Sequence, residues 1–231
     1  MTMCRLILTG TVIIFALFSC KERDQDIGME SGSEIELPNP RYRSDVSLEE
    51  ALLKRRSVRD YTDEPLTLQE VSQLLWAAQG ITDPRGFRTS PSAGATYPLE
   101  TYLVAGNVDG LASGLYRYVP GRHVIVKLMD GDLRSQLSKA ALGQECVKRG
   151  AIDIVFTAIY ERTTWRYGRR GIRYVHMEIG HAAQNVYLQA AALNLGTVAV
   201  GAFYDNKVKK ILNLPKGEEP LYIMPVGRRR R

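Results

Sequence analysis

Ile152-Asp153-Ile154-Val155-Phe156-Thr157-Ala158-Ile159 is a near-continuous apolar run of eight residues. It reads as a strand buried on both faces, and such a strand needs helices above and below it. The neighbouring sequence supplies them. Ile172, Val175, Ile179, Ala182, Val186, Ala190 and Leu193 recur at steps of three and four, which predicts a long helix over about 172–193. Ser47 with Glu50 makes a capping box that opens a helix running to about Arg55. Thr67 with Glu70 repeats the signature, with Val71, Leu74, Leu75 and Ala78 as an apolar face and Gly80 as the stop. Helices are also expected at Gly131–Leu142 and Asn206–Leu212. Strands are expected at Thr101–Ala105 and Leu221–Val226, in a hairpin of Gly114–Tyr118 with His123–Leu128, and as a central strand at Gly196–Val200. The pattern is that of a three-layer α+β domain.

Composition narrows the function classes. The chain has 231 residues and a net charge of +6, of which the terminal Arg228–Arg231 supply four. The remainder carries 27 basic against 25 acidic residues, so no broad nucleic-acid surface is indicated. The apolar run Leu6–Phe18 follows Arg5 and precedes Ser19-Cys20 and the charged Lys21–Asp24. Its length suits the core of a signal peptide over residues 1–20 better than a bilayer span. Leu17-Phe18-Ser19-Cys20 is similar to a bacterial lipobox, which would make Cys20 a lipidation site and the lipid the only membrane contact; a plain export signal or an uncleaved anchor is the other reading. The expected location is outside the cytoplasm, as an anchored lipoprotein or a periplasmic protein. Residues 21–43 are polar and read as a tether, and residues 44–231 as the folded domain. His176 and His181 lie five apart and do not share a helix face, so no metal site is expected. No Gly-x-Gly-x-x-Gly follows a strand, which argues against a dedicated dinucleotide fold.

Three short segments carry chemistry. Arg55-Arg56-Ser57-Val58-Arg59 puts three guanidinium groups and a hydroxyl at a helix end. Arginine forks suit a phosphate, although a basic helix C-terminus also complements the helix dipole without any ligand. Pro91-Ser92-Ala93-Gly94-Ala95-Thr96-Tyr97-Pro98 forms a small-residue loop held between two prolines, able to lie against a flat ligand or to serve as an ordinary turn. Thr197-Val198-Ala199-Val200-Gly201-Ala202-Phe203 is a strand ending in a turn, which leaves free amides or is simply buried structure.

Together, and in this order, the three segments resemble the nitroreductase-like flavoproteins over roughly residues 50–227. The resemblance implies a central, mostly antiparallel sheet flanked by helices, and a homodimer with FMN at the subunit interface. It implies that Arg55, Arg56, Ser57 and Arg59 hold the phosphate and ribityl chain. Pro91, Ser92, Ala93 and Gly94 would meet the isoalloxazine, and the Gly201 and Ala202 amides would point at flavin N5. Arg228 would be a further phosphate ligand. The implied activity is ping-pong hydride transfer through N5, with NADH or NADPH as the donor. Pro-Ser-Ala-Gly followed by Tyr-Pro-Leu-Glu looks most like the azoline dehydrogenase branch, which oxidises thiazoline or oxazoline rings in peptides. That branch places a Lys-Tyr pair where this chain has Arg166-Tyr167. Arginine does not readily give up its proton, so a base role for Arg166 is disfavoured, while Tyr167 keeps a hydroxyl for substrate contact. An exported flavin-binding module without turnover is the reading from another class. All three segments are expected to converge on one cofactor.

Overall fold

The computed structural model describes residues 32–230; the leader, Cys20 and Arg231 lie outside the described residues. In chain order the elements are β1 (Glu34–Glu36), α1 (Leu48–Lys54), β2 (Leu66–Thr67), α2 (Leu68–Gln79), a 3-10 turn (Ala93–Ala95), β3 (Leu99–Ala105), β4 (Val108–Asp109), β5 (Gly114–Val119) and β6 (Val124–Asp130). Then follow α3 (Arg134–Ala140), α4 (Glu145–Arg149), β7 (Ile152–Ile159), α5 (Glu161–Tyr167), α6 (Arg170–Ala192), β8 (Leu195–Thr197), α7 (Asp205–Leu212) and β9 (Glu218–Arg228). Seven strands form one sheet in the order β1-β6-β5-β3-β7-β9-β8, every neighbouring pair antiparallel. The short β2 and β4 pair in parallel beside it.

Strand alternation distributes the sheet's side chains between two helical layers. Ile154, Phe156 and Ala158 of β7 pack with α2 (Val71, Leu74, Leu75) and α6 (Val175, Ile179, Val186). Val155, with Tyr102 and Val104 of β3 and Ile223 of β9, packs against Leu137 of α3, Val147 of α4 and Val208 and Leu212 of α7. The run that opened the sequence reading is therefore covered on both sides, between β3 and β9, and the three-layer α+β expectation holds.

Caps fix the helices that matter for the site. Ser47 Oγ accepts the Glu50 amide at 3.1 Å, and α1 ends at Arg55. Thr67 and Glu70 make the full reciprocal box on α2. Gly168, at φ 53°, separates α5 from α6, so the segment before the long helix is itself helical, which its sequence did not reveal. The expected helix over 131–142 is shorter, because Leu142 and Gly143 turn to φ 58° and 76°, and α4 follows as a separate element.

Two expectations need correction. Gly196–Val200 is not a central strand: β8 covers only Leu195–Thr197 and lies at the sheet edge, paired with β9 alone. The Ala199 amide leaves the ladder and donates to the Tyr187 hydroxyl, and Val200 rejoins by one bridge to Ile223. The polar stretch 21–43 is not a tether throughout. From Gly32 on it belongs to the domain, because Ile35 and Leu37 alternate with polar residues; Glu34–Glu36 pairs with Val124–Val126, and Leu37 is buried.

Phe156 is fully buried in the middle of the sheet. Phe156→Ala is expected to lower unfolding stability by about 3–5 kcal/mol, read as a shift of the urea midpoint with little change in slope.

Candidate functional site

The first and third segments meet at one hydroxyl. The Ser57 backbone runs beside Thr197, and the Val58 amide donates to Thr197 O at 2.9 Å. Gly196 permits this approach, since a Cβ there would stand 2.6 Å from Val58 Cγ1. Tyr187, on α6, accepts the Ala199 amide at 2.8 Å and lies 3.1 Å from Ser57 Oγ. The hydroxyl that takes the amide is also within hydrogen-bond reach of Ser57, where either hydroxyl can donate. The Arg55 guanidinium sits 5.2 Å from the Tyr187 ring centroid, within cation–π range.

The cations sort by what they already hold. Arg55 and Arg59 pair with no carboxylate among the described residues. Arg56 is different: its Nη1 donates to Leu53 O at 2.9 Å and Arg55 O at 2.7 Å, closing the end of its own helix. Arg228 is likewise committed, with Nη1 and Nη2 donating to the two Glu70 carboxylate oxygens at 2.6 and 2.9 Å. Residue 228 shares a strand face with Val226, which packs in the α2 layer, so its fork meets the N-terminus of α2. Arg56 and Arg228 thus both have partners within the fold, where Arg55 and Arg59 have no carboxylate. Past the sheet edge, Gly201 and Ala202 are exposed, and their amides donate to no group among the described residues.

Ser92-Ala93-Gly94, entered from the exposed Pro91, forms a tight turn. Ser92 Oγ accepts the Tyr97 amide at 2.9 Å, and Gly94, Ala95 and Tyr97 all take positive φ (61°, 52° and 44°). Two of those three carry a Cβ, so the surroundings hold the loop in a conformation the chain does not favour by itself. The clamp comes from α5 and α6. Thr96 and Thr163 hydroxyls lie 2.8 Å apart, Arg162 donates to Tyr97 O, and Asn185 Nδ2 reaches Ser90 Oγ at 3.1 Å. A Cβ on Gly94 would stand 2.5 Å from the Tyr167 hydroxyl and 3.1 Å from Arg166 Nη1, so both of these side chains crowd the loop.

Beneath the loop lies a carboxyl that the sequence reading passed over. Glu178 of α6 is 2% exposed, and neither oxygen has a hydrogen-bond partner among the described residues. Burial raises its pKa to about 7, against the pull of the Ser92 hydroxyl and the Arg88 charge. Ser92 is close enough to favour the charged form, yet no hydrogen bond of ordinary geometry closes between them. Arg88 donates to Gln79 Oε1 at 3.0 Å and stacks 4.5 Å from the Tyr97 ring centroid, while its Nε stays unpaired.

Not all three segments converge within one chain. Glu178 and Tyr187 are nine residues apart, about 13.5 Å along the helix and about half a turn out of phase. Asn185, about seven-ninths of the way, falls on the Glu178 side, as its bond to Ser90 requires. The Ser92–Gly94 loop and the Ser57–Ala199 junction thus occupy opposite sides of α6, forming two half-sites. The sequence held a signal for Glu178, a carboxylate in phase with the apolar residues Val175 and Ala182; Tyr187, beside Val186, gave none.

Comparison with known proteins shows the family and agrees with the fold. The sequence pattern of the Nitroreductase family matches residues 52–228. A Methanocaldococcus jannaschii protein named as a nitroreductase is 54% identical over 196 residues, covering 85% of this chain and 96% of that protein. The microcin B17-processing protein McbC of Escherichia coli is 28% identical over 156 residues, covering 64% of this chain and 57% of McbC. Among solved structures, a nitroreductase-type protein from Ralstonia eutropha superposes with a TM-score of 0.76 at 30% identity, over 87% of this chain and 92% of that one.

Glu178 also sets a pH signature. Its folded pKa is about 7 against 4.5 for a free carboxyl, so between these values only the folded chain holds the proton. The stabilisation is complete below about pH 4.5 and is lost as pH rises through 7, a change of up to about 3 kcal/mol. Burial also raises the pKa values of Asp153 and Glu218, so the wild type must be compared with Glu178→Gln. Denaturant unfolding from pH 5 to pH 8 is expected to show wild type losing stability relative to the variant; parallel curves would refute the assignment.

Proposed function

The chain belongs to the nitroreductase family of oxidoreductases, and from that membership we propose an FMN-dependent enzyme that draws electrons from NADH or NADPH and acts as a homodimer. The observation that carries the reading is the Tyr187 junction, where a guanidinium, a hydroxyl and a strand-end amide from distant parts of the sequence meet.

The residues present fit the cofactor. Arg55 and Arg59 keep their forks open for a phosphate, and Ser57 adds a hydroxyl beside Arg55. Gly94 lets Tyr167 and Arg166 come close to the loop, and its small neighbours Ala93 and Ala95 keep bulk away from a planar ring. The unpaired Gly201 and Ala202 amides supply donors for the ring's N5 edge. Bound FMN would contribute two-electron transfer through N5 in a ping-pong cycle; the protein's part is to seat, orient and polarise it.

Two half-sites on opposite sides of α6 support the homodimer, because a second copy can bring its Ser92–Gly94 loop to the first copy's Tyr187 junction. The surface is suited to pairing. Leu48, Leu52 and Leu53 of α1 and Ile172 and Met177 of α6 are exposed, and α1 packs against α6.

A second reading is oxidation of a peptide heterocycle, favoured by the likeness to McbC and by the Tyr167 hydroxyl over Gly94. Arg166 holds its proton too firmly to act as base, so that reaction here would need its base elsewhere. We further propose that residues 1–20 direct export and that Cys20 carries lipid; an intact mass of the membrane-extracted chain lacking acyl groups would refute the lipid.

Purified protein should be yellow, absorbing near about 450 nm, and should bleach anaerobically with NADH or NADPH. A colourless protein that takes up no added FMN refutes the reading, and colour that no donor bleaches marks a binding module or a peptide oxidant. Arg55→Ala removes charge-assisted bonds of about 1.5–3 kcal/mol, so FMN affinity should fall about 10- to 150-fold with an unchanged circular dichroism spectrum.

A further inference from the structure

Glu178 occupies a position that its own helix reserves for apolar groups. It falls in phase with Gly171, Val175 and Ala182, all buried. A carboxylate placed there loses its hydration and gains no hydrogen bond in return, a state that proteins avoid unless charge or proton occupancy is used. What lies against it is the Ser92–Gly94 loop. Ser92 Oγ already accepts the Tyr97 amide, so its hydroxyl proton is free to turn toward Glu178. The Arg88 guanidinium reaches the same space with an unpaired Nε.

The charged and titratable groups around this point are few. The loop contributes Arg88 and Tyr97. Behind Arg88, β3 contributes Glu100 and α5 contributes Arg162, which pair with one another at 2.6 Å, and α5 also sets Arg166 and Tyr167 against Gly94. On α6 itself, Tyr174 and His181 lie one turn to either side. From α2 comes Gln79, which does not titrate. Arg88 is the one cation among them whose field acts directly on Glu178.

We propose that Glu178 is a proton-holding positioning residue for the flavin, ionised when the cofactor is oxidised and protonated when it is reduced. Ionised, the carboxylate draws on the Ser92 hydroxyl and Arg88 and fixes the loop on which the ring rests. When reduction adds negative charge against that loop, like charges at short range favour uptake of one proton. The balance is simple: the nicotinamide donor breaks a C–H bond and delivers hydride, both electrons with one hydrogen, to the cofactor, while a second proton leaves solvent hydronium and forms an O–H bond on Glu178. A pKa near 7 leaves the group poised, so a modest change of field moves its occupancy. The inference rests on the FMN reading above.

Two measurements test it, one without the cofactor. In the flavin-free full chain, infrared titration of carboxyl groups should show a band converting near neutral pH that is missing in Glu178→Gln. In the FMN-loaded protein, the midpoint potential should fall more steeply with pH in wild type than in Glu178→Gln. The excess is one proton per two electrons, tenfold in the equilibrium constant per pH unit or about 30 mV. Glu178→Asp should restore the steeper slope. Superimposable infrared titrations, or equal slopes in wild type and Glu178→Gln, would overturn the proposal. Failure of wild type to bind FMN would instead overturn the cofactor reading, and the coupling with it. A purely structural role for Glu178 would alter stability and leave the slopes alike.

Discussion

One helix constrains this structure more than any other element. The 23 residues of α6 must bury a continuous apolar face against the sheet, and the polar groups that remain can only point where that burial leaves them. Asn185 and Glu178 fall on the side of the 83–98 loop, and Tyr187 falls on the side of α1 and the sheet edge. The strained loop conformation, the departure of Ala199 from its ladder and the seating of Ser57 all follow from what α6 offers at those points. Pitch and rise, fixed by backbone hydrogen bonding, therefore set the separation of the two half-sites.

This explains which parts were legible in the sequence. The β7 strand, the capping boxes at Ser47 and Thr67 and the apolar periodicity of α6 are local signals, and each element formed where its signal lay. The Arg55–Arg59 and Ser92–Gly94 segments were likewise visible as unusual chemistry. Pairing was not visible. Nothing local shows that Arg228 pairs with Glu70, because that depends on a strand face and on a residue 158 positions away. The edge position of β8 hinges on one hydroxyl from another helix. Phase along α6 was calculable from the start, yet it decides nothing until both partners of Glu178 and Tyr187 are known.

The arginines illustrate how environment assigns roles that composition cannot. Arg85, Arg134, Arg162 and Arg228 each have a carboxylate within 3 Å, and Arg56 caps its own helix. A guanidinium held in this way orders structure and has less left to offer an incoming anion. Within the 55–59 segment Arg55 and Arg59 are left without a carboxylate, and Arg55 is further oriented by the Tyr187 ring. The pair proposed for the phosphate thus lies in the segment whose Ser57 meets the Tyr187 hydroxyl joining two of the three motifs.

Stability and chemistry pull in opposite directions at Glu178. An apolar residue of similar size would complete the buried face of α6, and such replacements of buried charge are often neutral or stabilising. The carboxyl instead makes the fold weaker with rising pH, across the range in which its proton leaves. The same loss of hydration that makes the group expensive is what brings its pKa to neutrality, where an ordinary glutamate would be fully ionised and unresponsive. Local rules of pattern fail at functional positions for this reason: the group that violates the helix's apolar phase is the one able to answer a change of charge on the neighbouring loop.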